Sequence, residues 1–295
     1  MQNNVGGNCE NVMSEMPLNR IFGTCHWREM SFKCEKLFTA IRTDAGLCYT
    51  FNMLNFNEIL SENIDESWKH PNHNMSSQNW TLKDGYKFND ADQFPHRALG
   101  AGFKFGLNIV LVGNKTEMRT NCVDSTRGFK LVLHAPSDIP RFDIQYTRIP
   151  FRREVLLSVN PQIIKTSSEL YEYKPEIRQC YFSGERKLKY FKVYTESNCE
   201  LECLSNFTLK NCLCVKLGLP FNNNSKICDV KSEHCYTEAE EKWFQQSWNQ
   251  KLIDSHECKC LPSCNSVKYQ ADISQGELHN SYYLPSRGYQ KHDDM

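Results

Sequence analysis

The chain has 295 residues, a mass of 34.4 kDa and a formal net charge of zero, from 35 basic and 35 acidic side chains. That length allows one large domain or two smaller ones, each with a buried core. The balanced charge excludes a global positive field of the kind that attracts nucleic acid, so we expect no nucleic-acid partner.

A local excess of positive charge is the main departure from this balance. Four arginines lie within 13 positions of one another and are interpreted as a solvated basic face. They are Arg141, Arg148, Arg152 and Arg153.

Cysteine content and glycosylation sequons both indicate an oxidising compartment. The chain has 15 cysteines, far more than a protein of this size normally carries in the reducing cytosol. Five asparagines stand in Asn-x-Ser/Thr sequons without proline, which accept glycans on the secretory route. These asparagines are Asn74, Asn79, Asn114, Asn206 and Asn223. We therefore expect an extracellular protein.

The sequence shows no segment that would carry the chain to or across a membrane. Residues 1–7 lack the charged and apolar regions of a signal peptide. The longest apolar runs, at 109–112 and 155–157, are far shorter than the roughly 20 residues of a membrane-spanning helix. An extracellular composition without a targeting element predicts a fragment of a larger protein.

The first 175 residues are predicted to form an antiparallel β structure. β-branched and aromatic residues, or alternating apolar and polar ones, predict strands in five runs. These runs are 47–52, 103–107, 109–112, 128–134 and 153–159. Pro136 and Pro161 are expected to end the last two, because proline cannot donate to a strand ladder. The polar stretch 60–97 is predicted to be a long surface excursion.

Residues 180–264 hold ten of the cysteines and two predicted helix starts. Ser197 with Glu200, and Thr237 with Glu240, have the spacing of an N-terminal capping box. Three apolar residues at spacings of four follow in the second helix and predict a stripe that packs against a neighbour. They are Phe244, Trp248 and Leu252.

The spacing of four cysteines predicts a pair of neighbouring cross-links. Cys199 and Cys203, four residues apart in the first helix, lie on one face about 6 Å apart. Cys258 and Cys260, two residues apart in an extended segment, share one face about 6.8 Å apart. The rungs predicted for an antiparallel arrangement are Cys199–Cys260 and Cys203–Cys258.

The remaining cysteines of this stretch are predicted to nest around and within the two rungs. Cys180 and Cys264 would close an outer loop of more than 80 residues, which adds roughly 4 kcal/mol of stability in the chain-entropy model. The inner pairs that nesting favours are Cys212–Cys235 and Cys214–Cys228. Sequence alone leaves other connectivities open. The nested ladder would be a stiff lever.

A zinc site is the alternative use of these cysteines. The Cys-x-Cys pairs with His234 or His256 could supply four tetrahedral ligands. This alternative is disfavoured because structural zinc prefers two-residue spacers and a reducing compartment. His70 and His73 are interpreted in the same way, so we expect neither a metal nor another cofactor.

Recognisable catalytic motifs are missing from the sequence. It has no Gly-x-Ser-x-Gly elbow, His-Glu-x-x-His helix, phosphate-binding glycine loop or calcium loop. We therefore expect that the protein is not an enzyme. A disulfide-rich secreted hydrolase is the alternative, and a cleft that holds two carboxylates would favour it.

Three segments carry a specific resemblance to a known family. The first is Gly46-Leu47-Cys48-Tyr49-Thr50-Phe51-Asn52, preceded by Cys25-His26-Trp27 and Cys34. The second is Gly128-Phe129-Lys130-Leu131-Val132-Leu133-His134, preceded by Cys122. The third, which is the most specific, comprises 178–182, 194–203, 211–215 and Cys258-Lys259-Cys260-Leu261-Pro262-Ser263-Cys264. Together they resemble the ectodomain of the degenerin/epithelial sodium channel family, and within it the insect pickpocket subunits.

The resemblance implies a fold class and a division of the chain. The fold is the hand-like α+β ectodomain of these trimeric channels, with an antiparallel palm and β-ball, a finger excursion and a disulfide-laddered helical thumb. Residues 1–175 would form the finger, palm and β-ball, 176–265 the thumb, and 266–295 the return to the palm.

The resemblance also implies partners for cysteines outside the ladder. Cys25 would pair with Cys34, and Cys48 would pair with a cysteine just after the first membrane helix, a stretch that this chain lacks. Cys9 and Cys122 are then left, and whether they pair with each other stays open.

Departures from the family limit what the resemblance implies. The chain ends at Met295, before the second membrane helix and its Gly-x-Ser selectivity filter would follow. Acid-sensing members place a tryptophan three residues before the first thumb cysteine, where this chain has Ile177, so proton gating is not implied.

The function implied is that of the extracellular region of a ligand- or mechanically gated, amiloride-sensitive-type sodium channel subunit. In full-length form it would lie in the plasma membrane as a homo- or hetero-trimer, conduct sodium ions and respond to an extracellular ligand or stimulus. The stiff thumb would pass strain to the membrane helices. The alternatives are a soluble secreted binding module that acts as a decoy, and a fragment of a non-functional gene.

Overall fold

The structure, a computed structural model, describes residues 17–68, 77, 80–87, 93–113, 128–249 and 258–278. These residues form an α+β fold in which every pairing between the named strands is antiparallel. The strands make one three-stranded sheet and four two-stranded ones, so the predicted antiparallel β structure is present as several small sheets.

The N-terminal third consists of short helices and strands around an aromatic cluster. Its elements are α1 (Leu18–Ile21), β1 (Phe22–Trp27), β2 (Met30–Phe32), α2 (Cys34–Leu37), β3 (Phe38–Thr43), β4 (Gly46–Phe51), α3 (Phe56–Ile59), β5 (Trp80–Thr81), β6 (Gly85–Tyr86) and β7 (Leu107–Leu111). β1 lies between β2 and β7, and β3 pairs with β4. Phe22, Trp27 and Phe38 are buried between the three-stranded sheet and this hairpin.

Two further strand pairs follow in the middle of the chain. Their elements are β8 (Phe129–Leu131), β9 (Thr147–Ile149), β10 (Arg153–Ile164) and, far along the sequence, β11 (Ser266–Glu277). β10 and β11 form a ribbon in which all 12 positions are paired, from Arg153 with Glu277 to Ile164 with Ser266. None of the described ribbon residues belongs to the buried core.

The helical part begins with the short α4 (Pro175–Arg178) and contains two longer helices, α5 (Glu196–Cys212) and α6 (Glu233–Asn249). Its buried residues join those of the N-terminal third in one core. Ile41, Phe56 and Ile59 from the first part pack with Tyr190 and Leu204 from the second. The core therefore fixes the helical part against the β3–β4 hairpin.

One close backbone approach shows how tightly the helical part packs against the β3–β4 hairpin. Gly218 has φ of 95°, and a Cβ at this position would lie 2.2 Å from the carbonyl oxygen of Thr43. Only glycine avoids both the backbone strain and the clash. The loop after α5 therefore rests directly on the β3–β4 turn.

Three of the predicted strands have different boundaries in the structure. The run 128–134 forms a strand only over Phe129–Leu131. Residues Phe103–Phe105 form a 3-10 helix after Gly102, whose φ of 101° turns the chain, and the strand begins only at Leu107. β10 does not end before Pro161 but runs through it to Ile164. Proline is tolerated there because the ribbon has only two strands, so one edge of β10 needs no donor.

Two helix starts were predicted too late, the first by two residues and the second by more than one turn. Thr195, not Ser197, caps α5, and its hydroxyl accepts from the Asn198 amide at 3.1 Å. α6 begins at Glu233, directly after a 3-10 turn (Val230–Ser232) that Asp229 caps, so Thr237 lies inside the helix. Because the first turn of α6 starts at Glu233, Thr237 is not an N-cap residue.

Three predictions about exposure are wrong. Arg141 is buried and paired with carboxylates, unlike a residue of a solvated basic face. Ile64 and Trp68, within the predicted surface excursion, are fully buried because residues of the helical part pack with them in the shared core. Phe244 is 45% exposed, and its neighbour Trp243 packs instead, against Phe207 at 5.6 Å. The Trp248 side chain and Leu252 lie outside the described residues.

Candidate functional site

Residues 180–264, here called the cross-linked segment, contain five of the six disulfides in the described part of the chain. The five are Cys180–Cys264, Cys199–Cys260, Cys203–Cys258, Cys212–Cys235 and Cys214–Cys228. The sixth joins Cys25 in β1 to Cys34 at the start of α2. These are the pairs that spacing, nesting and the family resemblance suggested.

The two rungs lie next to each other on one face of α5. Cys199 and Cys203 are one helical turn apart, and the Sγ atoms of Cys203 and Cys260, which belong to different rungs, are 3.8 Å apart. The three sulfurs of Cys199, Cys203 and Cys260 lie within 4.8 Å of one another. Each is in a disulfide, so none offers the thiolate that zinc would require.

Polar side chains of α5 hold the surrounding loops in place. The buried carboxylate of Glu202 accepts the amides of Lys189 and Tyr190, at 2.9 and 2.8 Å. Asn198, which is fully buried, donates to the Ser137 carbonyl and accepts the Ile139 amide. These bonds satisfy backbone groups that would otherwise be buried without partners. They orient α5 against both its own segment and the 135–141 loop.

The Cys180–Cys264 disulfide lies where the cross-linked segment meets the β10–β11 ribbon. Tyr181 brackets it with two backbone bonds, donating to Pro262 and accepting from Cys264, both at 2.9 Å. Thr166, two residues after the end of β10, donates its hydroxyl to the Cys264 carbonyl at 2.5 Å. Its amide donates to the Asn265 side chain. Both strands of the ribbon are thus fastened to one disulfide.

Arg178 closes the base of the segment from the other side. Its side chain is only 2% exposed and donates to the carbonyls of Tyr173 and Cys180 and to the carboxylate of Glu185. The guanidinium also lies 4.7 Å from the ring of Phe182, on which Tyr171 stacks at 3.7 Å. A planar group with several donors suits such a site, where lysine would satisfy fewer acceptors.

The outer surface of this base carries several exposed apolar side chains. Ile177 is 69% exposed, and Tyr173, Ile163 and Ile164 are also exposed. Ile177 is the position at which the acid-sensing relatives are expected to have tryptophan. The arginine therefore fixes a short loop whose apolar side chains point to solvent in the described part of the chain.

Ionisable groups gather at the N-terminal end of α5. Burial raises the pKa of Asp138 to about 6, although a hydrogen bond with Thr195 opposes the shift. The charges of Glu196 and Lys268 also act on it. Burial raises the pKa of Tyr269 in β11, and the charge of Asp138 adds to that shift. One carboxylate oxygen of Asp138 is buried without a hydrogen-bond partner in the described structure. Asp138 thus lies at a junction of a loop, α5 and the ribbon.

A second carboxylate group flanks this junction. Arg141 bridges Asp143 and Glu200, and burial raises the pKa of Glu200 despite the attraction of Arg141. Asp44 accepts the Phe142 amide at 3.1 Å, and burial raises its pKa as well. These contacts join the β3–β4 turn to the first turns of α5.

Cys48 is the free cysteine among the described residues. It lies partly buried in β4, with its Sγ 3.3 Å from the Thr43 hydroxyl, and burial raises the pKa of its thiol. Cys9 and Cys122 lie outside the described residues, so their pairing stays open.

Of the remaining candidate positions, only three are described. Asn206 and Asn223 are exposed, on α5 and in a loop respectively, and His234 is exposed on α6 with its Nδ1 3.9 Å from Glu238. The other candidates, Asn74, Asn79, Asn114, His70, His73 and His256, lie outside the described residues.

Sequence reasoning missed Arg178, Asp138 and Glu202. Asp138 and Glu202 act through groups that the fold brings close, whereas the partners of Arg178 lie within seven positions but follow no regular spacing. A weak signal existed for Arg178, which stands two residues before the first cysteine of the most specific family-like motif.

In the described residues, no helix is both long and apolar enough to cross a membrane.

Comparisons with known proteins agree with the resemblance. The sequence pattern of the family described as amiloride-sensitive sodium channel matches residues 2–294. Pickpocket protein 28 of Drosophila melanogaster is 28% identical over 268 residues, which are 89% of this chain and 43% of that protein. Sodium channel protein Nach of the same species is 26% identical over 262 residues, 88% of this chain and 45% of that protein. The chain spans less than half the length of these relatives.

Proposed function

The chain belongs to the amiloride-sensitive sodium channel family, and on this basis we propose that it is the extracellular region of a sodium channel subunit. The family match over residues 2–294 and the disulfide-rich fold support this assignment. Relatives of this kind are channel subunits and not enzymes. The full-length subunit then lies in the plasma membrane, conducts sodium ions with amiloride sensitivity, and assembles as a homo- or hetero-trimer.

The proposal includes a hand-like division of the chain. The region up to 175 is assigned to the finger, palm and β-ball, 176–265 to the thumb, and 266–295 to the return to the palm. The boundary at 265 is supported by the ribbon, since β11 begins at Ser266, immediately after the last ladder cysteine and Asn265.

The gating role that we propose rests on one observation, the attachment of both ribbon strands to the Cys180–Cys264 disulfide. β10 leads to it through Thr166, and β11 begins two residues after Cys264. A displacement of the cross-linked segment, caused by a ligand or by mechanical strain, would therefore move both strands together. In the full-length subunit the ribbon would pass this movement towards the membrane helices.

A chimera tests the channel assignment directly. Residues 17–278 replace the matched region of pickpocket protein 28 from Drosophila melanogaster, and currents are recorded in oocytes with the parent protein as control. We expect a sodium current that amiloride blocks. Chimeras that reach the surface, as measured by biotinylation, but carry no current under conditions that open the parent would contradict the proposal.

The gating role is tested in the same chimera with paired serine substitutions. Removing Cys180 and Cys264 is expected to shift the stimulus–response curve at unchanged surface level, because the ribbon loses its attachment. Removing Cys214 and Cys228, whose disulfide is not part of the ribbon attachment, is the matched control and should shift the curve less. Equal shifts for the two pairs would contradict the proposed route.

A further inference from the structure

Two sequons in the described part of the chain present their acceptors very differently. We propose that Asn223 carries an N-linked glycan, that Asn206 stays largely unmodified, and that the surface around Asn223 therefore faces solvent in the assembled protein. The inference rests on the extracellular placement in the proposed function, and does not depend on conduction or gating.

The Asn223 sequon forms the tip of a tight turn. The Ser225 amide donates to the Asn222 carbonyl at 2.9 Å, so Asn223 and Asn224 are the central residues of a β-turn. Both are exposed, and the Ser225 hydroxyl donates only to the Asn222 side chain. The transferase can therefore bring Asn223, Asn224 and Ser225 into an extended form by breaking only this local turn.

The chain on both sides of the turn is anchored. On one side the Phe221 carbonyl accepts the Asp65 amide at 2.9 Å, and the ring of Phe221 is buried in the shared core. On the other, Cys228 is bound to Cys214, and its amide donates to the Val215 carbonyl. A glycan on Asn223 thus projects from a fixed stem, at an exposed residue.

The Asn206 sequon lies inside α5 and is not available in the same way. Thr208, whose hydroxyl the transferase must recognise, is 0% exposed and donates to the Leu204 carbonyl at 2.9 Å. Ser205, just before the acceptor, is also buried, and its hydroxyl donates to the Pro220 carbonyl. Presenting residues 206–208 in extended form requires unwinding α5 and withdrawing two side chains from the interior.

The order of folding also favours modification of Asn223 over Asn206. A helix needs only local contacts and forms within about a microsecond, whereas the chain elongates at about 5–20 residues per second. α5, with its Thr195 cap, can therefore hold the Thr208 hydroxyl on the Leu204 carbonyl early, while the Asn223 turn has no helix to unwind.

The chemistry is the transfer of an oligosaccharide from a lipid-pyrophosphate donor. The Asn223 amide nitrogen forms a bond to the anomeric carbon of the first sugar, and the bond between that carbon and the pyrophosphate oxygen breaks. The amide loses one proton, and the lipid pyrophosphate is the leaving group.

A glycan at this position restricts where partners can bind. It covers the 222–226 turn with a bulky hydrophilic chain, so a subunit contact there would have to displace it. The β10–β11 ribbon, which has exposed apolar residues such as Ile163 and Ile273, stays available for such a contact.

The test is site-specific glycopeptide analysis of the full chain, secreted from insect cells behind a heterologous signal peptide. Deglycosylation in heavy-oxygen water converts each modified asparagine to a mass-labelled aspartate. We expect the label at Asn223 in most molecules and at Asn206 in a small minority. Asn223→Gln and Ser225→Ala should each remove one glycan, whereas Asn206→Gln should leave the glycan number unchanged.

The same turn supplies matched controls. Asn224→Gln and Ser225→Thr alter the turn but preserve the sequon, so both should keep the glycan. Label elsewhere but not at Asn223 would overturn this inference and leave the extracellular placement intact. Equal label at Asn206 and Asn223 would overturn the selectivity. A secreted chain without glycan at any of its five sequons would overturn this inference, whereas the extracellular placement is tested separately by surface biotinylation of the chimera.

Discussion

The N-terminal third, residues 17–111, and the cross-linked segment are stabilised by different means. The N-terminal third has one disulfide, which spans nine positions, and an aromatic cluster in which Phe22 and Phe38 lie 4.4 Å apart. The cross-linked segment has five disulfides that close loops of up to 84 positions. Side-chain packing thus dominates in the first region and covalent bonds add to it in the second.

The two regions nevertheless share the largest core cluster. Ile59 accepts the Lys192 amide at 2.7 Å, Ser61 donates to Tyr190 at 2.9 Å, and the flanking side chains are buried together. The disulfides therefore set the internal shape of the cross-linked segment, whereas the core sets its position on the rest of the chain. Substitutions can weaken these two contributions separately.

Trp68→Ala should have the largest effect, because it breaks the shared core itself. Trp68 is 1% exposed, and truncation of such a residue costs about 4 kcal/mol of unfolding free energy. Denaturant unfolding of the secreted chain, with disulfides intact, measures this loss. Phe244→Ala is the control, since that ring is exposed and its removal should cost less than about 1 kcal/mol. Similar losses for both variants would contradict the shared core.

Replacing Cys180 and Cys264 with serine should destabilise the chain by about 3 kcal/mol, less than the isolated loop predicts, because the two rungs still close most of it. Hydrogen exchange should accelerate at the amides of Tyr181 and Cys264, which bracket the disulfide. Removing Cys214 and Cys228 should instead affect exchange near those residues. Unchanged protection at Tyr181 would show that the core, not the disulfide, holds the base.

The junction at Asp138 should make stability depend on pH. Burial raises its pKa from the ordinary aspartate value of 3.8, which applies to the unfolded chain, to about 6 in the folded chain, so the folded state binds more protons between these values. The resulting stability is fully present below about pH 4 and is lost as pH rises through 6, by about 3 kcal/mol in total. Asp138→Asn, which is neutral at every pH, should flatten this slope in unfolding experiments. An unchanged slope in Asp138→Asn would assign the pH dependence of stability to Glu200 or Asp44 instead.

Arg178→Lys should have the smallest effect, about 1 kcal/mol, because lysine keeps the charge but cannot serve all of the acceptors at the base. The loss should appear as faster hydrogen exchange at Tyr173 and Ile177, with the ladder unaffected. Lys187→Arg, at an exposed position between α4 and α5, is the control. If both variants show the same hydrogen-exchange rates at Tyr173 and Ile177, the buried guanidinium does not order the base.

The parts of this structure that follow from sequence are those with a local period. Cys199 and Cys203 share a face because they are one helical turn apart, so their rungs to Cys260 and Cys258 could be predicted. The exact cap of α5 could not, since Ser197 and Thr195 are both good N-cap residues and tertiary contacts of Asn198 decide between them.

Long-range contacts explain the remaining errors. Arg141 looks like one member of a basic cluster, yet Glu200, 59 positions away, pairs with it and makes its burial tolerable. Trp68 stands in a polar stretch, and only the arrival of the helical part gives it apolar neighbours. Neither partner can be identified from the residues around these positions.

The closeness of the two rungs has a consequence for how the protein is made. With the sulfurs of Cys203 and Cys260 only 3.8 Å apart, either cysteine of α5 can be oxidised with the same partner after little movement. Local proximity therefore does not select the native connectivity. The selection must come from the direction of the 258–264 segment, which the Tyr181 backbone bonds and the Tyr194 hydroxyl bond to Leu261 fix. Cells that produce this protein should accordingly need a disulfide isomerase to correct chains that oxidise before that segment is in place.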